Sequence, residues 1–445
     1  MTIFKESKTI LFLSIPLIIG QLGQMLLGLV DSVMIARVGV TELAALTLAN
    51  SIFFVPFVFG MGILTCISVR TSTARGRNDT TGARSVCRNG VYIGLILGII
   101  IFTLAMLSSD LLEFLKQDPD VVRKSRTFYI ILMASLIPGL VAVALKNHAD
   151  ALSRIWTAFW ISMAGVLLNV LLNWVFIFGN LGAPALGLEG AGVATLIARC
   201  ATVIAMLVWF KIDTSLLDWT PHKWLRKLDL TETKKLIKLG LPSGLQSTTE
   251  VGAFVATGLL IGRFGAEALA AQNVALTFAG LAFMIPLGLS IALTIRVGER
   301  IGLGQHNKLK TTFISGWLIT LVFSCVTAAI LLTFRHELAS SFVKDAPVVI
   351  SLATSFLVVA GIFQLVDCQQ VASIGMLRGL EDTTIPAWMC LFSYWVIGIP
   401  TGYYFAFHRG MGPVAIWWGL ALGLTVAAIL LGIRLWKSLK HEARV

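Results

Sequence analysis

The sequence predicts an all-α polytopic membrane protein, with twelve transmembrane helices arranged as two pseudo-symmetric six-helix bundles in a parallel repeat. Three observations predict it: an apolar excess, a series of long apolar stretches, and an internal repeat. Of 445 residues, 57% are hydrophobic and 13% charged, with a mean hydropathy of +0.86. Soluble domains carry about 45–50% apolar and about 25% charged residues, so the surplus here has to face lipid. The net charge of +12 does not point to nucleic acid, because its distribution reads as membrane topology. The six cysteines contain no CxxC pair and mostly fall within apolar stretches, which excludes a disulfide or metal framework.

A helix crossing about 30 Å of hydrocarbon needs about 20 mostly apolar residues. Twelve stretches meet that length. The first six cover 10–35, 46–69, 90–108, 127–147, 156–179 and 190–210. The second six cover 239–262, 269–295, 313–333, 349–377, 385–407 and 414–435. The first follows Lys5 and Lys8 but is too long for a signal-peptide core and lacks a small-x-small cleavage site, so it reads as a retained helix. The longest polar interval, Lys211 to Lys238, divides the spans six and six and suggests lobes at 1–225 and 226–445.

Orientation follows from Lys and Arg. With the N-terminus in the cytoplasm, the inner segments hold 25 of them and the outer segments nine, while Arg199 lies within a span. Arg70, Arg75, Arg77, Arg84 and Arg88 form one inner cluster; Lys223, Arg226, Lys227, Lys234, Lys235 and Lys238 form another. Positive charge is retained on the cytoplasmic side, so both termini are expected there.

Sliding the chain against itself by 226 residues aligns Pro16 with Pro242, Arg37 with Arg263, Gly62 with Gly288, Arg70 with Arg296 and Gly90 with Gly316. Positions 16–90 then show 13 identities without a gap. Each half has an even number of spans, so both halves share one orientation. Parallel repeats of this kind place a substrate site between the halves near the midplane.

Charges inside the spans are the candidates for function. A carboxylate at the bilayer centre costs about 2.5–3.5 kcal/mol or more. Glu250 lies 11 residues up from Leu239, about 17 Å at 1.5 Å per residue. Asp367 lies 10 residues from the inner end of its span near Leu377, about 15 Å. The two acids therefore fall at one depth within one half, as a shared cation or proton site requires. Asp31 lies higher, toward the outer end of span one. Asn169 and Asn173 share a helix face, and Thr195 could join them and Asp31 in an oxygen-rich cluster. Two asparagines on a membrane helix are more often glue between helices than an ion site. Arg199 reads as a hydrogen-bonded clamp, and Asp150 with Arg154 as a solvated pair.

These residues carry a resemblance. Pro16 to Ala45 with Asp31, the Asn169/Asn173 stretch, Gly190 to Thr195, Gly240-Leu-Pro-Ser-Gly before Glu250, Ala270-Ala-Gln272, and Phe363 to Asp367 followed by Leu377-Arg378-Gly379 occur in that order. Together they resemble the MATE (multidrug and toxic compound extrusion) family, in its NorM-like bacterial branch, over essentially the whole chain. The resemblance implies a secondary antiporter of the inner membrane that exports organic, often cationic, compounds in exchange for Na⁺ or H⁺. It implies small organic cations or drugs and membrane lipid as partners, a monomer, and no cofactor beyond the coupling ion.

The resemblance maps a cation site onto Glu250 and Asp367, the only place a Na⁺ is expected, with Phe363 as an aromatic one turn earlier. Some relatives have Tyr there; a phenyl ring keeps a cation–π face but offers no hydroxyl. Asp31 maps onto the first-half acid, and Gln272 is a cavity candidate. Relatives with a first-half cation site pair that acid with a second Asp where this chain has Asn173, which leaves Asp31 as a proton or substrate site with Asn169, Asn173 and Thr195 around it.

The rival reading within transport is a lipid or glycolipid flippase of the same superfamily. Its central cavity would be cationic, whereas the candidates here are acidic. A membrane enzyme is disfavoured, because no HExxH, GxSxG, P-loop or Gly-rich dinucleotide pattern occurs in a fitting context. A channel fits a repeat with buried acids less well than alternating access does.

Overall fold

The computed structural model describes residues 3–109, 118–225, 227–342 and 346–442. Arg226, one of the predicted inner-cluster cations, lies outside the described residues. The chain is helical nearly throughout: α1 (Ile3–Ala36), α2 (Val40–Gly76), α3 (Thr80–Leu107), α4 (Pro119–Ala151), α5 (Ile155–Phe178), α6 (Leu188–Ile212) and α7 (Leu230–Gly262). There follow α8 (Ala266–Gly302), α9 (His306–Thr333), the short α10 (Arg335–Phe342), α11 (Pro347–Gly379), α12 (Thr384–His408) and α13 (Val414–Glu442). Eleven of these are long and apolar enough to cross a membrane, and α7, 33 residues long but more polar, is the twelfth long helix.

Most helices outrun the predicted apolar stretches. α3 starts at Thr80 where apolarity begins at 90, and α7 starts at Leu230 where it begins at 239. Membrane thickness limits the apolar length, but the helical hydrogen-bond ladder continues into the polar flanks. α10 has only eight residues and no span-length signal. Within α12, Phe392–Gly398 and Tyr404–His408 are π-helical, which widens the turn beneath Tyr394.

Two compact units emerge: Ile19–Gly244, and Met1–Ile18 together with Leu245–Val445. The division expected at 225/226 falls in the connecting segment. The compact units differ from it because each half's first helix is shared: the first half of α7 packs in the former unit and the first half of α1 in the latter. Core packing agrees, since Leu236 is buried with Leu64 and Leu140, and Ile10 with Leu289 and Leu293.

The 226-residue repeat reappears as paired contacts. In the first unit a Cβ added at Gly62 would come within 2.7 Å of Gly244 Cα, and in the second a Cβ at Gly288 within 2.8 Å of Ile18 N. Only glycine lets those backbones approach so closely. Arg70 donates through Nε and Nη2 to Glu232 at 3.0 and 3.2 Å. Arg296 donates through the same two nitrogens to Glu6 at 2.8 and 2.9 Å. Asn89 donates to the Asp229 carbonyl, and Ser315 to the Ile3 carbonyl. Every pair is related to its counterpart by the offset that aligns the sequence.

Candidate functional site

In the unit Ile19–Gly244, α1, α5 and α6 bring the predicted cluster together. Asn173 Nδ2 donates to Asp31 Oδ1 at 2.6 Å and to Asn169 Oδ1 at 3.0 Å. Asn169 Nδ2 donates to Thr195 Oγ1 at 3.1 Å, and that hydroxyl donates to the Ala191 carbonyl at 2.9 Å. The one-turn spacing of the two asparagines puts both amides on one face of α5, and both are buried. Asn173 Oδ1 has no hydrogen-bond partner. Asp31 is therefore a half-buried carboxylate whose one oxygen already receives an amide.

Arg199, on α6, donates to Ser135 Oγ at 2.9 Å and lies 5.1 and 5.4 Å from the ring centroids of Phe53 and Phe57. It also lies within charge range of Asp31. Two aromatic faces and a hydroxyl hold this cation without a direct salt bridge, as a clamp does.

In the other unit, Glu250 of α7 and Asp367 of α11 lie within electrostatic range of each other. Asp367 is 2% exposed, and its Oδ1 has no hydrogen-bond partner. Gln364 Oε1, on the same helix as Asp367, is likewise buried without one, while the Tyr394 hydroxyl on α12 lies within hydrogen-bonding reach of Gln370. Tyr394 feels the charges of both acids, and Trp395 Nε1 ties α12 to the Thr249 carbonyl beside Glu250 at 3.1 Å. Buried acceptors left without donors, beside two carboxylates, form a setting that a hard cation or a proton satisfies. Among the described residues no three His, Cys, Asp or Glu side chains are grouped to hold a metal ion.

Phe363 is buried with its ring 5.8 Å from that of Trp417. Gln272 is buried on α8 against Gly258 of α7, and its Oε1 has no partner. Arg378, at the end of α11, is in charge range of Glu250.

Sequence reasoning missed Tyr394, Gln370 and Gln364. The two glutamines flank Asp367 by three residues on either side, a helical-face spacing that was available as a signal. Tyr394 carried none, because its approach depends on the π-helical turn. The reading of Asp150 with Arg154 as a solvated pair is corrected. Asp150 is fully buried and bonded to Lys146 Nζ at 2.5 Å, while Arg154 points to Ser215. The α4–α5 turn at Ser153, with φ of 61°, carries Arg154 away from Asp150.

Two repeats of membrane-spanning helices, each with acids and amides set among its spans, define a polytopic membrane transporter. The MatE family pattern matches residues 16–175 and 242–404, two segments that begin one repeat length apart, and the chain belongs to this family.

The probable multidrug resistance protein NorM of Rhizobium meliloti (strain 1021) is 34% identical over 97% of this chain and 93% of its own length. The like-named protein of Agrobacterium fabrum is 33% identical over 99% and 96%, and the multidrug resistance protein MdtK of Proteus mirabilis 32% over 97% and 95%. The fold matches that of the eukaryotic MATE transporter AtDTX14, with a TM-score of 0.90 at 21% identity over 99% of each chain. It also matches the outward-facing conformation of a multidrug resistance MATE family transporter, with a TM-score of 0.90 at 22% identity over 99% and 97%.

Proposed function

We propose that this membrane-embedded multidrug efflux transporter is an antiporter that exchanges cytoplasmic organic cations for external Na⁺ or H⁺. The observation that carries the reading is the Glu250/Asp367 pair, set among buried oxygens that have no donor. Two carboxylates this near each other repel, and a cation or proton between them relieves the repulsion. An ion that binds one conformation better shifts the population toward it, which is all that coupling requires. Asp31 holds a single negative charge against the Asn173 amide, which suits a proton or a cationic cargo better than a two-carboxylate Na⁺ site would.

The protein is a monomer of the bacterial inner membrane with both termini cytoplasmic, and its chemistry is transport without a catalysed reaction. The 25-to-nine Lys/Arg bias supports that orientation. A cysteine placed in the Lys211–Lys238 connection should stay unlabelled by an impermeant thiol reagent in intact cells. Labelling without lysis would reverse the orientation.

The deciding experiment is efflux of a fluorescent organic cation from energised vesicles, with Na⁺ and pH gradients imposed separately. Export driven by one of them is expected. Equal export without either gradient would rule out antiport. A lipid-flippase reading draws no support from the relatives, whose names refer to multidrug resistance.

A further inference from the structure

Within the six spans read in the first half, charged residues occur at three positions, Asp31, Lys146 and Arg199. Lys146, at the inner end of its span, is paired with Asp150 at 2.5 Å. One acid and one base therefore remain inside the unit Ile19–Gly244, and they stand within charge range of each other. The second half is different. Its spans hold Glu250 and Asp367, with Arg378 just past an inner end and Arg434 paired with Asp382 at 2.7 Å.

Three helices build the seat of Arg199, each with two residues one turn apart. Thr195 and Arg199 share a face of α6, so the arginine is the next step along the chain Asp31–Asn173–Asn169–Thr195. On α4, Ser135 accepts from Arg199 Nη1, and a Cβ added at Gly139 would lie 3.2 Å from that nitrogen and 3.3 Å from Cδ. Only glycine leaves the guanidinium that room. On α2, Phe53 and Phe57 stack with centroids 5.3 Å apart, and both rings lie within cation–π distance of the guanidinium.

A clamp alone accounts for the seat but not for the charge. A neutral amide would tie α6 to Ser135 as well, without the cost of a cation among membrane spans. The charge therefore calls for a role of its own, and the residue it lies near is Asp31.

We propose that Arg199 sets a charge limit on cargo: the first-half site admits organic compounds with one positive charge and discriminates against those with two. The limit rests on Asp31 as a contact for cationic cargo. Asp31 neutralises one positive charge. A second charge on the same molecule finds no further unpaired acid among the spans of this half and meets the positive charge of Arg199. Away from bulk water, that opposition is stronger and less screened than at a surface. Selectivity then comes from a repulsive element placed beside an attractive one.

The test uses the full-length protein in detergent and two fluorescent probes with one phenanthridinium ring, ethidium with a single charge and propidium with two. Wild type should bind ethidium more tightly. Arg199→Gln should narrow the ratio of the two dissociation constants about tenfold, chiefly by gaining propidium. Arg199→Met carries the same expectation and serves if R199Q does not fold. R199K keeps the charge and should keep the ratio. Ser135→Ala removes the hydroxyl of the seat without changing charge, and should also leave the ratio as it is.

A ratio unchanged in R199Q and R199M, including equal weakening of both probes, overturns the proposal and leaves Arg199 as a clamp. So does a ratio lost in R199K, or propidium bound by wild type as tightly as ethidium. Binding of neither probe by wild type contradicts the organic-cation reading and takes the charge limit with it. Binding is read without a gradient, so a failure of ion coupling is seen separately, in the efflux experiment.

Discussion

Glu6 and Glu232 stand one repeat length apart, each near the start of a long helix, and each receives the Nε/Nη2 fork of an arginine. Their surroundings differ. Glu6 is 1% exposed and also accepts from Arg300 at 2.7 Å and Thr312 at 2.8 Å. Glu232 is less enclosed, and its further cationic neighbour is Lys235 at 3.8 Å. The carboxylates within the spans break the repeat altogether. Glu250 aligns with Gln24, and Asp31 aligns with Thr257. Scaffolding contacts were kept through the duplication, while the charges that could bind ions were placed independently in each half.

The largest expected effect tests that independence. Glu250→Gln and Asp367→Asn should each reduce gradient-driven efflux to the level of vesicles without the protein. Groups that act as one unit are non-additive, so the double variant should be little worse than either single one. If both single variants still concentrate cargo at wild-type rates, the acids are structural contacts and the contrast between the repeats carries no coupling.

Asp31→Asn should lower export several-fold with expression intact. Cargo rates unchanged for every cation that the wild type exports would leave the Asn173–Asn169–Thr195 chain as helix glue.

The scaffold comparison sharpens with Glu6→Gln and Glu232→Gln. Removing one partner of an enclosed ion pair costs about 3–5 kcal/mol, and Glu6 holds two arginines. Glu232→Gln should cost about 1.5–3 kcal/mol, the range for one charge-assisted bond. Thermal unfolding in detergent should rank them in that order, and the reverse order would show that enclosure does not separate the two.

The smallest effect lies at aligned helix starts. Asp79 caps α3 by accepting from Gly82 N at 2.8 Å, whereas Gln305 at the start of α9 makes no side-chain cap. Asp79→Ala should cost about 1 kcal/mol, whereas Gln305, whose Oε1 instead accepts from Arg300 Nη1, has no cap to lose. The Gly82 N–H, with help from Thr81, holds the Asp79 carboxyl below its ordinary value near 3.8. Its contribution is therefore complete above that pH and is lost as pH falls through the lowered value. A difference in stability between wild type and Asp79→Ala that grows toward acid would contradict the cap.

The helical frame was legible because apolar length and Lys/Arg bias are one-dimensional signals. Asp31, Asn169, Asn173 and Thr195 could be grouped from helix faces and depth, and the structure does bring them into one hydrogen-bonded chain. Tyr394 could not, since a π-helical turn leaves no mark in an apolar stretch. The Glu6 and Glu232 pairs were hidden for another reason. The counted alignment began at Pro16, so the acids lay outside it while both arginines lay within. The exchange of half-helices was invisible too, because nothing in composition changes at Ile18 or Gly244.

That exchange has a consequence for synthesis. Glu6 is translated well ahead of its partner Arg296, which follows 290 positions later. At about 5–20 residues per second, the ribosome needs about 15–60 s to deliver it. Arg70 and Glu232 are separated by only 162 positions. The unit Ile19–Gly244 can therefore close while the start of α1 still waits, with its acid unmatched, for a helix not yet made. The start of α1 thus leaves the ribosome long before the helices that hold it, and it is among the last parts of the fold to find its place.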